Sequence, residues 1–282
     1  MSNSPKIVAY GGGINSTAML IGMLDNGIRP DLILMANTGG EKPETLRWLG
    51  TFADWLNRQG FPALKIVQND GKYKTLENNC ITKKMLPSLA YGFKSCSDKY
   101  KRRPQDKYCR QWQPAIDCWA AGGKCVKYIG YDADEERRAK IPSDKEYVYE
   151  YPLIEWGWGR DECAEAIIRE GLPVPPKSSC FFCPAMKKQE VLDLKRDNPD
   201  LFARAVAMER NAETQTVAGL GRSWSWESLG KADDEQMSLA GFLDPNDEPC
   251  GCFDGDYDGI DQTVIDLTVS AGCKASAERR DA

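Results

Sequence analysis

Short apolar runs alternate with amphipathic stretches through the first half of the chain. Residues such as Ile33 and Leu34 follow one another without polar interruption, which is typical of strands buried on both faces of a sheet. The runs predicted to be strands are residues 6–10, 31–36, 64–67, 126–131 and 147–154. With helical spacing between them, the pattern predicts an α/β fold: a Rossmann-like, five-stranded, mainly parallel sheet with helices on both faces.

Breaks in this pattern divide the chain into three predicted parts. A proline-rich connector, residues 173–176, follows the last strand and its helix. We expect an α/β domain at 1–172, a cysteine-containing helical segment packed on it at 173–212, and a mixed, partly irregular C-terminal extension at 213–282.

A glycine turn follows the first predicted strand. Gly11, Gly12 and Gly13 precede Ser16 and Thr17, where a helix is expected to begin. Glycines leave backbone N–H groups bare, and a helix start directs its free N–H donors and positive dipole end at a bound anion. The turn therefore predicts a phosphate or oxyanion site, with a tight turn that binds nothing as the alternative.

A second polar turn follows the second predicted strand. It contains Asn37, Thr38 and Gly39. The carboxyl ends of parallel strands lie at the same edge of a sheet, so we expect the two turns to converge on one crevice.

Charge and hydropathy narrow the possible functions. The chain has 282 residues and a net charge of -5, which predicts no general affinity for nucleic acid. Its most basic stretch, residues 94–107, is either a solvated loop or a clamp for an anionic group. No apolar run is long enough to cross a membrane and the first residues do not form a secretory signal, so we expect a cytoplasmic protein.

Cysteine usage points to a metal or to catalysis. The chain has 11 cysteines and no histidine, and an odd number of thiols in a reducing compartment argues against a disulfide framework. Cys180 and Cys183 have a spacing that lets two thiolates bind one metal centre, although other cysteines must complete it. The alternative is a chance pair of small core residues. Cys250 and Cys252 form a second close pair.

Several motifs, taken in order, resemble those of the phosphoadenosine-phosphosulfate reductase family. This family belongs to the adenine-nucleotide α-hydrolases, also called PP-loop ATP pyrophosphatases. Residues 11–16 read Gly-Gly-Gly-Ile-Asn-Ser and are similar to the PP-loop Ser-Gly-Gly-x-Asp-Ser, and residues 37–45 resemble Asp-Thr-Gly-x-x-x-Pro-Glu-Thr. The basic run 101–104 after Cys96, the stretch 130–138 and the stretch 151–156 resemble further family segments, so the likeness covers about residues 6–198.

The chain departs from the family pattern at several charged positions. Asn15 and Asn37 replace aspartates, Asp132 stands where an arginine is expected, and Ser95 replaces the first cysteine of a doublet. The Glu-Cys-Gly-Leu-His tail motif that carries the nucleophile of the reductases is missing, with Cys250 or Cys252 as possible substitutes.

The resemblance implies roles for individual residues. Lys101 and Arg137 would neutralise the distal anion of the substrate and act in catalysis. Cys96, Cys180 and Cys183 would hold a metal centre. The residues expected to bind nucleotide are Gly11, Gly12, Gly13, Asn15, Ser16, Thr17, Asn37, Thr38, Gly39, Gly130 and Arg102.

The resemblance also implies cofactors and partners. A [4Fe-4S] cluster is favoured, with an open iron site or a fourth ligand from Cys109, Cys250 or Cys252, and structural zinc is the alternative. The substrate would be ATP, with Mg²⁺, or a sulfonucleotide (PAPS or APS), together with an unknown second substrate and, for a reductase, a redox donor. Two other hypotheses for the function stay open. The protein is either a nucleotide-binding regulatory module without catalysis, or a PP-loop enzyme for sulfur or base modification of nucleic acid.

Overall fold

The computed structural model of the protein describes residues 4–93 and 95–242. Contacts among the described residues up to Gly230 form one compact unit, and those from Lys231 onwards belong to a second. Lys94, Cys250, Cys252 and the remainder of the extension beyond Phe242 lie outside the described residues.

A single sheet organises the fold and confirms the predicted fold class. Its strand order is β3-β2-β1-β4-β5, and every neighbouring pair is parallel. The expected mainly parallel sheet is therefore wholly parallel among the described strands. The strands are β1 (Lys6–Tyr10), β2 (Leu32–Asn37), β3 (Leu64–Gln68), β4 (Cys125–Ile129) and β5 (Tyr147–Glu150).

Helices cover both faces of this sheet, as the sequence predicts. Val8 and Tyr10 of β1 pack into a core with residues of α1, α2 and α8, whereas Ile7 points into a second core with Cys109 and Cys118 of α5 and α6. Alternate residues of one strand thus bury opposite faces. The helices are α1 (Ile14–Asp25), α2 (Pro43–Arg58), α3 (Leu76–Thr82), α4 (Ser95–Ser97), α5 (Arg103–Cys109), α6 (Gln113–Ala120), α7 (Pro152–Glu155), α8 (Arg160–Arg169), α9 (Lys188–Asp197), α10 (Pro199–Asn211) and α11 (Trp226–Phe242).

A third core packs the cysteine-containing segment. Phe181 and Phe182 are fully buried and pack with Leu76 of α3, Val191 of α9 and Ala205 of α10. The two phenylalanine rings meet edge to face, with centroids 4.7 Å apart. This core holds the cysteine segment against α3 and α9–α10.

The fifth strand is shorter than the sequence pattern predicts. It ends at Glu150, and Pro152 begins the short helix α7. Proline has no N–H for the strand ladder, and its fixed φ suits the first turn of a helix.

None of the described helices combines the length and the apolar character that a bilayer crossing requires.

Candidate functional site

A cleft of about 580 Å³ opens beside the carboxyl ends of β1 and β4. Its walls come from the glycine turn, the start of α1, the basic stretch around α4 and α5, and the connector before Cys180. The residues that line it are Ala9, Tyr10, Gly11, Gly13, Ile14, Asn15, Ser16, Ser97, Asp98, Lys101, Arg102, Gln105, Lys127, Ile129, Gly130, Tyr131, Arg138, Ile141, Tyr149, Arg160, Pro176, Lys177 and Ser178.

The glycine turn presents a bare helix start to this cleft. Gly13 is the N-cap residue of α1, and no side chain caps the helix. Gly12 has a φ of +72°, which a residue with a side chain rarely adopts. Ser16 holds the turn closed, since its Oγ accepts from the Gly11 N–H (3.1 Å) and donates to the Gly13 carbonyl (3.2 Å). Ser16 therefore fixes the shape of the turn, and the N–H groups at the start of α1 can donate to a bound anion.

Gly130 lets the end of β4 approach this turn. A Cβ built on Gly130 would lie 3.0 Å from both the backbone N and the Cα of Ser16. The three nearest atoms all belong to the backbone of Asn15 and Ser16, so a side chain there would push β4 and α1 apart. Gly130 is thus needed for the shape of the cleft, because it allows β4 and α1 to lie this close together.

The cleft is strongly cationic in an acidic protein. Its lining includes six Lys or Arg residues and one carboxylate, Asp98. Arg102 bonds to Asp98, Lys177 to Glu190 and Arg138 to Glu135. The lining cations with no carboxylate partner in the described part of the chain are Lys101 and Arg160. Their charge is available to an anionic ligand.

A buried ion pair forms the floor of the cleft. Lys127 in the middle of β4 donates to Asp106 at 2.7 Å, and the side chains are only 4% and 7% exposed. Arg102 contacts the second oxygen of Asp106 at 2.9 Å. The Lys127 ammonium also lies 4.9 Å from the centroid of the Tyr147 ring. This network fixes the α5 side of the cleft against the sheet.

Asn15 and Asp132 contact each other beside the cleft. The Asn15 amide donates to the Asp132 carboxylate at 2.7 Å. The remaining oxygen of each side chain, Oδ1, is buried without a hydrogen-bond partner. The pair therefore leaves two buried oxygens without a partner among the described residues, next to the cleft that Asn15 lines.

In the second turn, the backbone N–H groups of Thr38 and Gly39 donate to side chains of the same turn. The Glu41 carboxylate accepts from the backbone N–H groups of Thr38 (2.9 Å) and Gly39 (3.0 Å), and Asn37 Oδ1 accepts from the Gly39 N–H (2.7 Å). Glu41 thus takes the place of an external anion at this turn. The Thr38 hydroxyl lies 3.1 Å from the thiol of Cys180, which ties the turn to the cysteine segment.

The cysteines predicted to bind metal all pack against the third core, but within the described residues no three Cys, His, Asp or Glu side chains form a group that could hold a metal ion. Cys96, Cys180 and Cys183 are half-buried, whereas Cys109 is buried in a different core, the one that contains Ile7 of β1. The Cys183 N–H bonds to the Cys180 carbonyl (3.0 Å), which makes the pair a tight turn. Burial raises the pKa of the Cys180 thiol to about 11, although Lys101 and the Thr38 hydroxyl lower it.

Lys101 connects the cleft with the cysteines. It lines the cleft, and its charge also favours the thiolate forms of Cys180 and Cys183. Lys177 and Ser178, which line the cleft as well, lie just before Cys180 in the chain. The cleft and the cysteine segment therefore share Lys101 and the stretch just before Cys180.

Some of the residues that the sequence predicts to bind nucleotide or to act in catalysis line the cleft. Lys101, Arg102, Asn15, Ser16 and the glycines at 11, 13 and 130 line it. The predicted residues outside its lining are Gly12, Thr17, Asn37, Thr38, Gly39, Arg137 and the cysteines at 96, 180 and 183.

Two of the residues outside the lining have other contacts. Thr17 is fully buried and bonds to the Tyr10 hydroxyl (3.1 Å), which also accepts from the Trp48 indole (3.0 Å). Arg137 borders a separate surface depression beside Tyr151. Its neighbour Arg138 lines the cleft, where its guanidinium stacks 4.3 Å above the Tyr131 ring.

Sequence reasoning missed several cleft residues. These are Lys127, Arg138, Arg160 and Lys177 among the cations, together with Tyr131 and Ser178. One signal was available: Lys127 interrupts an apolar strand of a parallel sheet, where a charge needs a buried partner.

Comparisons with known proteins leave the family undetermined. No protein-family model matches the chain, and no curated protein is a match. Among solved structures, the chain is similar to the U34-tRNA thiolase NcsA from Methanococcus maripaludis, solved with its [4Fe-4S] cluster. The identity is 16%, the match covers 82% of this chain and 81% of the thiolase, and the TM-score is 0.41. A superposition this loose carries no argument about activity.

Proposed function

We propose that the protein is an enzyme of the PP-loop type that binds an adenine nucleotide in the cleft and reacts it beside a metal centre held by cysteines. The observation that carries the proposal is the six-cation cleft at a bare helix start, joined by Lys101 to the thiols. Phosphate groups are the ligands that such a constellation favours.

The phosphate chain would lie against the glycine turn. The free N–H groups at the start of α1 would donate to it, and Lys101 and Arg160 would neutralise charge that builds up on the leaving or distal group. Fixed donors and cations of this kind assist transfer at phosphorus or sulfur by electrostatic positioning. The apolar lining at Ile129, Tyr131 and Ile141 offers a surface for the base.

The residues present fit a Mg²⁺ ion if the nucleotide is ATP. Asn15 and Asp132 each have a buried Oδ1 without a partner, and carbonyl and carboxylate oxygens are the ligands of Mg²⁺. Mg²⁺ is usually bound by one or two such groups together with substrate phosphates. Asn15 and Asp132 are therefore the residues that would hold the ion, which would neutralise charge on the phosphates.

Thiolates from Cys96, Cys180 and Cys183 would hold the metal centre. Thiolates are the ligands of zinc and of iron–sulfur clusters, and all three residues pack against the third core. An iron–sulfur cluster would supply electrons to, or bind sulfur for, the reaction at the nucleotide. The residues of this chain would position the anion next to it, because Lys101 reaches both sites.

A nucleotide titration tests this function. Isothermal titration with ATP, APS, PAPS and adenosine should show submillimolar binding of the nucleotides and none of adenosine, because the cleft recognises the anion. Pyrophosphate release with ATP would identify adenylyl transfer, whereas sulfite release from APS or PAPS with a dithiol donor would identify a reductase. Binding without turnover of any of them would favour a regulatory module.

A second candidate function is modification of a nucleic acid. Its support is a group of lysine ammoniums around the Tyr73 ring: Lys72, Lys83 and Lys99 lie 5.4, 5.6 and 6.0 Å from the ring centroid. Phosphodiesters are natural ligands for such a group. A gel-shift assay with single-stranded RNA and DNA, with Tyr73→Ala as the variant, tests it: equal binding by both proteins would remove this candidate.

A further inference from the structure

Gln105 of α5 presents a polar group to the cleft that no other described residue bonds. The residue is only 7% exposed, and it lines the cleft. Its carboxamide has no hydrogen-bond partner among the described residues, and its oxygen and nitrogen are not sealed off from solvent. Polar groups buried to this degree normally have a partner. The carboxamide is therefore open to a hydrogen bond from a ligand in the cleft.

The neighbouring ion pair fixes where Gln105 lies along the sheet. The next residue, Asp106, accepts from Lys127 of β4 at 2.7 Å. Lys127 is the register partner of Ile7, which precedes Gly11 by four residues. At about 3.3 Å per residue, these four residues span about 13 Å. Gln105 therefore lies at the inner end of the cleft, away from the glycine turn.

The sheet beneath this part of the cleft is apolar and partly uncovered. Ala9 of β1 and Ile129 of β4 are register partners, and both line the cleft and are partly accessible. Ile129 lies two residues after Lys127, so it faces the same side of the sheet, the side of α5. β1 is the middle strand of the sheet, where a covering helix normally buries such a residue. The cleft thus continues as a slot between the sheet and α5, with Gln105 at its inner end.

A planar heterocycle suits a slot of this kind. Its face can pack on the apolar floor at Ala9 and Ile129 while its edge bonds to the carboxamide. A carboxamide offers a donor and an acceptor side by side in one plane. Adenine carries the complementary groups, an N6 amine beside a ring nitrogen, and glutamine forms a bidentate pair with such an edge. A base held there leaves its phosphates towards the glycine turn.

We infer that Gln105 is a specificity-determining residue, which selects adenine by hydrogen bonds to the N6 amine and the adjacent ring nitrogen. The inference rests on the proposed nucleotide-binding function and names the side chain that recognises the base. It does not depend on a metal centre or on the reaction that follows binding.

Calorimetric titration with ATP and with purine riboside 5′-triphosphate, which lacks the 6-amino group, tests the inference. Wild type should bind ATP at least about fivefold more tightly, the lower end of what a bidentate pair between a side chain and a base contributes. Gln105→Leu removes the carboxamide and should bind the two ligands with equal affinity. Gln111→Leu makes the same change at an exposed residue outside the cleft lining, and it should keep the wild-type ratio.

Inorganic tripolyphosphate separates recognition of the base from recognition of the anion. Gln105→Leu should bind it as tightly as wild type does, because the carboxamide contacts the base, and this binding also shows that the variant is folded. Gln105→Asn draws the carboxamide back by one carbon–carbon bond and should lose the preference for ATP as well. This second variant provides the test if the leucine variant does not fold.

Three results would count against the inference in different ways. Equal affinity of wild type for ATP and purine riboside triphosphate, or a wild-type ratio in Gln105→Leu, would overturn it and leave the proposed nucleotide binding intact. Weaker binding of tripolyphosphate by folded Gln105→Leu would assign the carboxamide to the anion and would also overturn it. If wild type binds none of these ligands, the proposed function fails, and the inference fails with it.

Discussion

At the scale of single residues, Gly130 and Lys127 show how the cleft is held in shape. Gly130 brings β4 within contact distance of the Ser16 backbone, and Lys127 places a positive charge on the cleft floor only because Asp106 neutralises it. Neither residue has to react with a ligand for the cleft to depend on it.

Replacement of Gly130 by Ala should weaken nucleotide binding. The new methyl group would lie 3.0 Å from backbone atoms that cannot rotate away, so α1 must shift. Overpacking of this kind costs about 1–3 kcal/mol of fold stability. Because the start of α1 carries the N–H donors of the cleft, its displacement should also lower nucleotide affinity several-fold. Gly50→Ala is the control, since Gly50 is helical and nothing lies within 4 Å of its added Cβ. Equal nucleotide affinity of Gly130→Ala and wild type would show that binding does not depend on the close approach of β4 to α1.

Replacement of Lys127 by Met should destabilise the fold. It leaves the Asp106 carboxylate buried with only Arg102 as a partner, and removal of one member of a buried pair costs about 3 kcal/mol. Urea unfolding at pH 7 measures this loss. The double variant Lys127→Met/Asp106→Leu should recover part of it, because no uncompensated charge remains, and an unchanged midpoint for the single variant would contradict the account.

Single residues also mark the limit of sequence reasoning. Lys101 and Arg102 follow from the order of motifs, but the choice between Arg137 and Arg138 depends on one position in the 3-10 turn Ala133–Arg138, which no pattern specifies. Lys127 stands out in the sequence as a charge within an apolar strand, yet its partner Asp106 lies on a different element.

At the scale of elements, the carboxyl end of the connector is fixed by α9. Lys177, a cleft residue, donates to Glu190 at 2.8 Å, and the same carboxylate accepts from the Lys187 N–H at 2.8 Å. Burial of Glu190 favours its neutral form, but these hydrogen bonds outweigh it and hold the pKa of Glu190 below its usual 4.5. The charged carboxylate therefore stabilises the first turn of α9.

Substitution of Glu190 by Gln should produce a pH-dependent loss of stability. A depressed carboxyl pKa contributes stability that is present above the unfolded pKa and is lost as the pH falls through the folded pKa. The variant should be about 0.5–1 kcal/mol less stable at pH 7, given the partial exposure of the pair. The difference should shrink below pH 4.5 and vanish in stronger acid. A difference that stays constant from pH 7 to pH 3 would contradict the ion-pair explanation.

Elements were the most predictable level of the structure. The alternation of apolar runs and helical spacing is a local signal, and it predicts the five parallel strands and the helices on both faces. Strand β5 was predicted too long because the pattern does not register that Pro152 begins a helix. The Asn37–Gly39 turn follows its strand as expected, but its use of Glu41 as an internal anion could not be predicted from spacing alone.

At the scale of the whole molecule, charge is distributed unevenly. The chain has a net charge of -5, yet six cations and one carboxylate line the cleft. A local field of this sign attracts small polyanions while the overall charge disfavours general association with nucleic acid. The cleft floor, the glycine turn and the cysteine core come from segments far apart in sequence, which only the parallel sheet brings together.

Nucleotide binding should therefore depend on ligand charge and on salt. Affinity should fall in the order ATP, ADP, AMP and adenosine, and the affinity for ATP should fall several-fold between 50 and 500 mM NaCl, as the screening length shortens from about 14 to about 4 Å. Titrations at several salt concentrations measure this dependence. An affinity that is equal for ATP and adenosine would place recognition in the base and not in the phosphates.

The central claim is that the cleft binds the anionic part of an adenine nucleotide. Calorimetric titration of a variant that lacks two cleft cations tests this claim most directly. Lys101→Ala/Arg160→Ala removes the two lining cations that have no carboxylate partner in the described part of the chain. Lys65→Ala/Arg169→Ala removes equal charge outside the cleft. We predict submillimolar binding of ATP or PAPS by the wild type and the control variant, and at least tenfold weaker binding by the cleft variant. Equal affinity of all three proteins, or no binding of either nucleotide by the wild type, would contradict the account.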